Sequence, residues 1–410
     1  MKSDRAAEPL PKNEKNGPES LDSVIVRFGG EIGIKGVWTR KIYERLLLRN
    51  IKSALIHHKI RYDKIVRKYG RLYVKTPMAT DASLKLSKVF GISSLSPALE
   101  TTSKLNDITA KGPFLMRSTL QKGNSFAVKC KRIGKHPYNS LKVCQEVGRR
   151  ILAELPELDL KVNLENPDVQ LGIEIREESA FLHTAVVKGA GGLPLGTQPK
   201  AVCLLSGGID SPAACWLAMK RGCPIVPIYF DNAPFTDEST TNRALNTAKV
   251  LFDWAIGFSN RVYVISHGQN LAEFKEKCPE RFTCLLCKRM MYRIAEIIAD
   301  MEGAEGIVTG EAIGEQASQT LRNLRVLTSA ATKYPIHRPI LGFDKTETEG
   351  LARKIGTFEV SIKEAKGCTA APSKPATSAD LQDVIEAEKK LDIEKMIEES
   401  YKSLKTIDLQ

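Results

Sequence analysis

The sequence contains no apolar run that approaches the roughly 18 residues a membrane-spanning helix needs. Its first twenty residues, MKSDRAAEPLPKNEKNGPES, also lack the apolar core of a secretory signal. They are polar and include proline and glycine, so we expect residues 1–21 to form a disordered tail. These absences argue against a membrane or secreted protein and predict a cytoplasmic one with no membrane partner.

A disulfide framework is also missing. The nine cysteines are an odd number, scattered over 410 residues, and Cys203 and Cys215 stand in apolar surroundings. Disulfide-held secreted domains are short and have even cysteine sets. We therefore predict free thiols in a reducing compartment, in a chain long enough for two or three domains.

Acidic residues are scarce in the first half of the chain. Residues 22–196 contain 30 Lys+Arg and 16 Asp+Glu, a difference of +14, whereas the whole chain carries +13. A basic half joined to a nearly neutral half favours a polyanion-binding module, with nucleic acid as the leading partner. A generally basic or thermophile-like surface is the alternative.

The first half alternates between strand and helix patterns without a fixed order, which predicts an α+β fold. In the helix predicted at 140–155, Leu141, Cys144, Val147 and Ile151 recur at spacings of three and four. The predicted strands are 23–29, 68–74, 125–130, 171–176 and 179–188, with 91–100 strand-like; the other predicted helices are 38–58, 81–89 and 108–121.

Residues 189–200, GAGGLPLGTQPK, predict a linker because they are rich in glycine and proline. After them strands and helices alternate, which predicts a doubly wound, mostly parallel sheet. The charged segment 378–404 predicts one or two packing helices. The predicted strands are 201–205, 224–230, 261–265 and 305–309, and the predicted helices are 212–221, 238–254, 270–277, 286–301 and 316–330.

The stretch LLSGGIDSP, residues 204–212, follows the first strand of this half and precedes a helix pattern that begins at Pro212. Its glycines allow close backbone approach to an anion, and the free N–H groups of the helix would bind one. It lacks the Gly-Lys-Ser/Thr ending of the common NTPase phosphate loop. The alternative is a tight turn before a helix capped by Asp210 or Ser211.

The full SGGxDS pattern resembles the PP-loop of the ATP-pyrophosphatases, which cleave ATP between its α and β phosphates. The resemblance implies a loop that holds departing pyrophosphate, with Mg²⁺ to neutralise it, and no γ-phosphate transfer. A loop with this role does not need the lysine of the NTPase phosphate loop.

The resemblance extends from residue 23 to residue 375. VIVRFGGEIGIKG, FAVKCKRIGKHPYNS, CLLCKRMMYRIAEIIA, VTGEAIGEQASQTLRNL and GFDKTET are similar to segments of ThiI, the tRNA 4-thiouridine synthetase family. It implies an α/β adenine nucleotide alpha hydrolase-like domain after an α+β ferredoxin-like and THUMP half. The implied parts are a ferredoxin-like domain (22–81), a THUMP domain (82–188), the linker (189–200), a PP-loop domain (201–375) and a charged helical tail (376–410).

The family's site residues carry over by position. Taken singly, each has an ordinary alternative as a core, turn or surface residue; the nine-residue spacing from Gly310 to Gln319 matches the family. Asp210, Lys345 and Cys368 would be catalytic, Lys345 by offsetting phosphate charge. The implied nucleotide site comprises Leu204, Leu205, Ser206, Gly207, Gly208, Ser211, Tyr229, Phe230, Lys288, Gly310 and Gln319.

A basic cluster lies in the part that resembles THUMP, which implies contact with the acceptor stem of tRNA. Such a cluster can neutralise phosphates, and the alternative is a solvated basic edge. Its members are Lys129, Lys131, Arg132, Lys135 and His136.

Three cysteines are candidates for sulfur chemistry: the C-x-x-C pair Cys284 and Cys287, and Cys368. Family members with a rhodanese domain use a cysteine there as well, and we expect no such domain in this chain. Three hypotheses remain open. The trio holds an iron–sulfur cluster with one open iron, Cys284 and Cys287 form a redox pair beside a persulfide on Cys368, or all three are structural. The other six cysteines we expect to be core or incidental.

The resemblance implies an ATP-dependent tRNA sulfurtransferase that adenylates O4 of a uridine, at position 8 in the family, and replaces it with sulfur. The sulfur donor would be sulfide, or a cysteine desulfurase or other persulfide carrier. Thiazole sulfur supply for thiamine is a second role known in the family. Two alternative functions remain open, a non-catalytic tRNA-binding protein and an amide-forming PP-loop ligase. The chain could also form a homodimer.

Overall fold

The structure is a computed structural model that describes residues 21–68 and 70–409. The chain forms two compact units, one ending at Gly192 and one beginning at Leu193. The tail predicted at residues 1–21 lies outside the described residues, except for Leu21. No helix in the described part of the chain is long and apolar enough to cross a membrane.

The first unit is a nine-stranded sheet of mixed direction with helices packed on one of its faces. The strand order is β2-β3-β1-β4-β8-β7-β5-β6, and β9 pairs with β4. The helices are α1 (Gly30–Gly33), α2 (Val37–His57), α3 (Ala79–Leu86), α4 (Leu105–Arg117) and α5 (Ser140–Glu154). The strands are β1 (Ser23–Phe28), β2 (Lys64–Lys68), β3 (Arg71–Lys75), β4 (Ile92–Thr102), β5 (Ser125–Ile133), β6 (Lys161–Val162), β7 (Val169–Arg176), β8 (Ser179–His183) and β9 (Val187–Lys188).

Strand alternation decides which face the helices cover. In β1, Val24 and Val26 join the core under α2 and α3, whereas Ile25 points to the opposite face and packs with Tyr73 and Phe181. The α+β prediction is confirmed. The strand predicted at 68–74 is wrong in its limits, because Lys68 ends β2 and the next strand begins at Arg71.

Helix α5 also corrects the sequence analysis. It begins at the predicted residue and ends one residue earlier than predicted, at Glu154, and the Asn139 side chain accepts a hydrogen bond from the N–H of Lys142 at 2.8 Å. Its buried stripe, however, is Val143, Val147 and Ile151, and Leu141 is 64% exposed. A spacing of four in place of three rotates the buried face away from Leu141.

The second unit is a six-stranded sheet of order β14-β13-β10-β11-β12-β15, parallel except for β15. The doubly wound α/β prediction is confirmed. Its strands are β10 (Lys200–Leu204), β11 (Ile225–Asp231), β12 (Arg261–Ser266), β13 (Ala304–Val308), β14 (Ile336–His337) and β15 (Lys405–Asp408). Its helices are α6 (Asp210–Lys220), α7 (Glu238–Phe252), α8 (Gly268–Lys277), α9 (Thr283–Glu302), α10 (Leu321–Thr328), α11 (Lys345–Ile355), α12 (Phe358–Ser361), α13 (Leu381–Glu388) and α14 (Ile393–Lys402).

The charged segment near the C-terminus belongs to this unit. It forms two helices, as predicted, and then β15, which pairs antiparallel with β12 and which the sequence analysis did not predict. A buried ion cluster binds the segment to α9. Glu388 at the end of α13 accepts hydrogen bonds from Arg289 at 2.9 and 2.7 Å and from Arg293 at 2.7 and 2.8 Å. The segment therefore completes both the core and one edge of the sheet.

Candidate nucleotide site

The SGGIDS loop connects the carboxyl end of β10 to helix α6, which begins at Asp210, two residues before the predicted Pro212. Gly207 has φ +74°, and a Cβ there would lie 2.7 Å from the backbone nitrogen of Ala244. Both facts require glycine. The backbone N–H of Ser206 donates to Ser211 Oγ at 3.0 Å, which closes the loop on the first turn of the helix.

The first turn of α6 has no side-chain cap. Its N-cap is Ile209, and neither Asp210 nor Ser211 caps the helix, contrary to the alternative of an ordinary capped turn. Uncapped N–H groups and the positive end of the helix dipole can bind an anion.

Gly310 stands where the segment after β13 meets this turn. A Cβ at Gly310 would lie 2.5 Å from the backbone nitrogen of Ser211 and 2.6 Å from its Cα. Only glycine allows this contact, since real Cβ atoms do not approach so closely. Gly310 therefore shapes the site through its lack of a side chain.

A cavity of about 270 Å³ opens at this end of the sheet. The predicted nucleotide residues Gly207 and Gly208 do not line it; Gly207 packs against α7, and the Gly208 carbonyl accepts from Ser361 Oγ at 3.2 Å. The cavity is lined by Leu204, Leu205, Ser206, Asp210, Ser211, Tyr229, Phe230, Asn232, Thr240, Lys288, Met291, Tyr292, Thr309, Gly310, Glu311, Gln316 and Gln319.

The cavity wall contains a buried carboxylate that the sequence analysis missed. Glu311 is 4% exposed and accepts hydrogen bonds from Lys288 Nζ at 3.0 Å and Arg338 Nε at 2.7 Å. It also accepts from Tyr292 Oη at 2.7 Å and Thr309 Oγ1 at 3.1 Å. Burial raises the pKa of Glu311, but the charges of Lys288 and Arg338 outweigh it and the net shift is downward. The Glu311 carboxylate thus pairs with Lys288, which lines the cavity, and with Arg338, which does not.

Lys345 is the first residue of α11, whose N-terminus is fixed by a capping box between Asp344 and Glu347. Its ammonium lies 3.3 Å from Asp210 Oδ1 and 2.5 Å from Glu315 Oε1. Burial raises the pKa of Asp210, Lys345 lowers it, and Glu315 raises it, with a net upward shift. Two carboxylates thus share one lysine beside the loop.

The three candidate cysteines are neighbours. Cys284 and Cys287 lie in the first turns of α9, and Cys368 packs against the same core. Burial raises the pKa of both Cys284 and Cys287, and the nearby Cys368 thiol raises each further. Among the described residues, however, no three His, Cys, Asp or Glu side chains are arranged to hold a metal ion. The three thiols as they are arranged here do not fit an iron–sulfur cluster. The iron–sulfur hypothesis stays a prediction that the iron content of the purified protein would test.

The remaining cysteines are free. Cys203, Cys215 and Cys278 are buried, and Cys130, Cys144 and Cys223 are half-buried. This agrees with their predicted place in or near the cores.

In the first unit, the predicted basic cluster divides into two groups. Lys129, Lys131 and Lys135 are exposed. Arg132 instead donates to the Gly134 carbonyl at 2.9 Å and contacts His136 Nδ1 at 3.3 Å. His136 Nε2 lies 2.7 Å from the Glu177 carbonyl, which can only accept, so the ring donates there. Three lysines are therefore open to a polyanion, while Arg132 and His136 also shape the loop.

Comparisons with known proteins agree with this architecture. Three family models match: "ThiI ferredoxin-like domain" at residues 23–96, "THUMP domain" at 103–185 and "Thiamine biosynthesis protein (ThiI)" at 196–393. A protein of Methanosarcina mazei named "Probable tRNA sulfurtransferase" is 40% identical over 97% of this chain and 98% of its own length. The chain belongs to the ThiI family.

Another ThiI relative, from Caldanaerobacter subterraneus and with the same name, is 40% identical over 92% of this chain and 97% of its own. Among solved structures, a 4-thiouridine synthetase–RNA complex with bound ATP has a TM-score of 0.86 at 34% identity, over 95% of this chain and all of that one. PH1313 of Pyrococcus horikoshii has a TM-score of 0.65 at 26% identity, over 82% of this chain and all of that one.

Glu311, Tyr292 and Arg338 of this ThiI chain were not among the site residues predicted from the sequence. The motifs VTGEAIG and CKRMMYRI contain Glu311 and Tyr292, and Lys288–Tyr292 is a spacing of four, so one helix face carries both. That spacing could have indicated that Tyr292 lies on the same side of the helix as Lys288. No sequence pattern indicates Arg338, because β14, the strand that precedes it, has only two residues.

Proposed function

We propose that this ThiI-family chain is an ATP-dependent tRNA sulfurtransferase of the cytoplasm that converts a tRNA uridine, at position 8, to 4-thiouridine. The observation that carries the proposal is the cavity between the uncapped first turn of α6 and the Lys288–Glu311 pair. The 34% identical structure with bound ATP and RNA supports it. A role in sulfur supply for the thiamine thiazole belongs to the same proposal, since a transferable sulfur would serve both.

The first step is adenylation. Uridine O4 attacks the α phosphorus of ATP, the bond to the β phosphate breaks, and pyrophosphate leaves. The N–H groups of α6 and the hydroxyls of Ser206 and Ser211 would hold the departing anion. Lys288 would offset charge on the phosphates, and Tyr229 and Phe230 at the end of β11 would frame the adenine.

The Asp210 carboxylate is a candidate ligand for Mg²⁺. Among the described residues its carboxylate and that of Glu315 share the single ammonium of Lys345. Burial raises the pKa of Asp210 by more than Lys345 lowers it. A Mg²⁺ ion bound there would neutralise pyrophosphate charge. Lys345, at the start of α11 beside the loop, would also offset charge on the phosphates.

The second step replaces oxygen with sulfur. A sulfur nucleophile attacks C4, and AMP leaves with the former O4. With a persulfide on Cys368, loaded by a cysteine desulfurase or another carrier, the terminal sulfur forms the C4–S bond. The Cys284 or Cys287 thiolate then attacks the Cys368 sulfur, which leaves thiouridine and a protein disulfide that a thiol reductant reopens.

The first unit would bind the tRNA. Its exposed lysines at 129, 131 and 135 can neutralise phosphates of the acceptor stem, with Arg132 and His136 shaping that edge. We propose the ferredoxin-like domain at 22–81, THUMP at 82–188, the linker at 189–200, the PP-loop domain at 201–375 and the helical tail at 376–410. A homodimer is compatible with this arrangement.

The test is nucleoside mass spectrometry after anaerobic incubation with unmodified tRNA, Mg-ATP and sulfide. Wild type should form 4-thiouridine, Asp210→Ala and Cys368→Ser should not, and Cys223→Ser, which changes another half-buried thiol of the same unit, should. Iron and acid-labile sulfide, measured in the purified protein before sulfide is added, distinguish a cluster from a persulfide.

Other outcomes decide between the alternatives. Pyrophosphate release without thiouridine, even with a cysteine desulfurase and cysteine added, would reject the sulfur assignment, and amide formation with ammonia would indicate a PP-loop ligase. Binding of tRNA without ATP turnover would indicate a non-catalytic RNA-binding protein.

A further inference from the structure

Three large apolar side chains near the start of α2 are exposed. Ile34 is 83%, Val37 75% and Trp38 76% exposed. Adjacent exposed apolar side chains, above all a tryptophan, usually mark an interaction site. Nothing in the nucleotide site uses them, because they belong to the first unit.

The backbone that presents these side chains is well anchored. Ile32 is fully buried in the core under the sheet, and the N–H of Ile34 donates to the Gly30 carbonyl at 3.1 Å. The Gly36 carbonyl then accepts from the N–H of Arg40 at 2.9 Å, the first hydrogen bond of α2. The exposure of Trp38 is therefore a property of the fold at this position.

The charges around Trp38 are mostly positive. Residues 30–45 contain four cationic and two acidic side chains. Lys35 and Lys41 are exposed, and Lys41 lies on the helix face of Trp38 at a spacing of three. One of the two acids, Glu44, is buried and paired with Arg40 at 2.8 Å and Arg67 at 2.5 Å. The surface is thus an apolar platform beside two lysines.

We propose that the Trp38 patch, defined as Ile34, Lys35, Val37, Trp38 and Lys41, binds an unpaired nucleotide of the RNA substrate. The indole stacks on the base, and the lysines neutralise the flanking phosphates. The inference rests on the proposed function, because it takes RNA as the partner. The charge favours RNA over a second copy of the chain, since self-association would bring like charges together.

Tryptophan fluorescence of the full chain tests the stacking directly. The sequence has three tryptophans, and the other two, Trp216 and Trp254, pack edge to face at 5.3 Å in the second unit. Unmodified tRNA should quench the exposed indole of the wild type. Trp38→Phe should lose that quenching but keep most of the affinity, because the phenyl ring still stacks.

Filter binding then measures the energetic effect. Trp38→Ala should weaken tRNA binding about tenfold, as expected for the loss of one aromatic stacking partner. Lys35→Gln with Lys41→Gln should flatten the dependence of binding on salt. Ile56→Ala is the matched control: it removes a 69% exposed side chain from the other end of α2, and binding should not change.

The outcomes separate this inference from the proposed function. If wild type binds tRNA but Trp38→Ala binds equally well and no quenching occurs, the patch is not an RNA site and the proposed function stands. If Trp38→Ala instead converts a dimer to a monomer in light scattering with unchanged tRNA affinity, the patch is a contact between copies. If wild type binds no tRNA, both proposals fail.

Discussion

Lys288 Nζ lies 3.0 Å from Glu311 Oε1 in the wall of the candidate nucleotide cavity. Arg338 contacts the other oxygen of the same carboxylate at 2.7 Å. Two cations and one anion leave a net positive charge at a nearly buried position, where it is weakly screened. The carboxylate thus fixes the lysine in place without cancelling the charge that a nucleotide phosphate would meet.

Replacing Glu311 with glutamine should reduce activity more than it reduces stability of the fold. The amide keeps the size of the side chain but leaves Lys288 and Arg338 without an anionic partner. Losing a charge-assisted hydrogen bond costs roughly 1.5–3 kcal/mol, so we expect a decrease of roughly 10- to 150-fold in kcat/KM for ATP. Pyrophosphate release with saturating tRNA measures it.

Glu388→Gln is the matched control for that experiment. Glu388 is also buried and bound to two arginines, but it does not line the cavity. It should lower the free energy of unfolding and leave kcat/KM near the wild-type value where the protein is folded. Equal losses of activity in both variants would show that Glu311 acts only through stability.

Gly310→Ala should abolish nucleotide binding, because the new methyl group would lie 2.5 Å from the Ser211 nitrogen and would push the first turn of α6 away from β13. We expect no measurable ATP affinity by calorimetry. Gly350→Ala, at an exposed helical site with no atom within 4 Å, should bind ATP normally and be more stable by about 0.5–1 kcal/mol. Normal ATP binding by Gly310→Ala would refute the close-packing argument.

How far the sequence predicts this molecule depends on the range of the contacts. The alternation of strands and helices after residue 200 and the glycine loop are local patterns, and the structure confirms the parallel sheet they imply. The capped-turn alternative failed because capping depends on side-chain direction: Asp210 turns to Lys345, which is 135 residues away.

The rest of the site depends on long-range pairing that periodicity cannot reveal. β14 has two residues and β15 has four, too few for an alternating pattern. Yet β14 places the next residue, Arg338, against Glu311, and β15 pairs with β12 at one edge of the sheet. The buried face of α5 differed from the predicted one because Leu141 and Val143 both suit an apolar stripe, and tertiary packing selects between them.

The Glu388 ion cluster predicts a specific pH dependence. Burial raises the pKa of Glu388, but hydrogen bonds from Arg289 and Arg293 lower it to about 2 in the folded state. Because the folded pKa lies below the ordinary value, the stabilisation is fully present above about pH 4.5 and disappears as pH falls toward 2. The difference in unfolding free energy between wild type and Glu388→Gln, measured with urea, should therefore shrink over that range. A constant difference would refute the assigned cause.

The cysteine trio predicts how the thiols react in metal-free protein. Burial and the neighbouring Cys368 raise the pKa of Cys284, and only the thiolate is alkylated. The pH profile of iodoacetamide labelling at Cys284, followed by peptide mass spectrometry, should thus have its midpoint above that of free cysteine, about 8.5. Cys368→Ala should move the midpoint down, because it removes the neighbouring thiol that raises the pKa of Cys284, whereas Cys223→Ala should leave it unchanged. A midpoint below that of free cysteine would mean that another group stabilises the thiolate, which would make Cys284 the better candidate for the primary sulfur nucleophile.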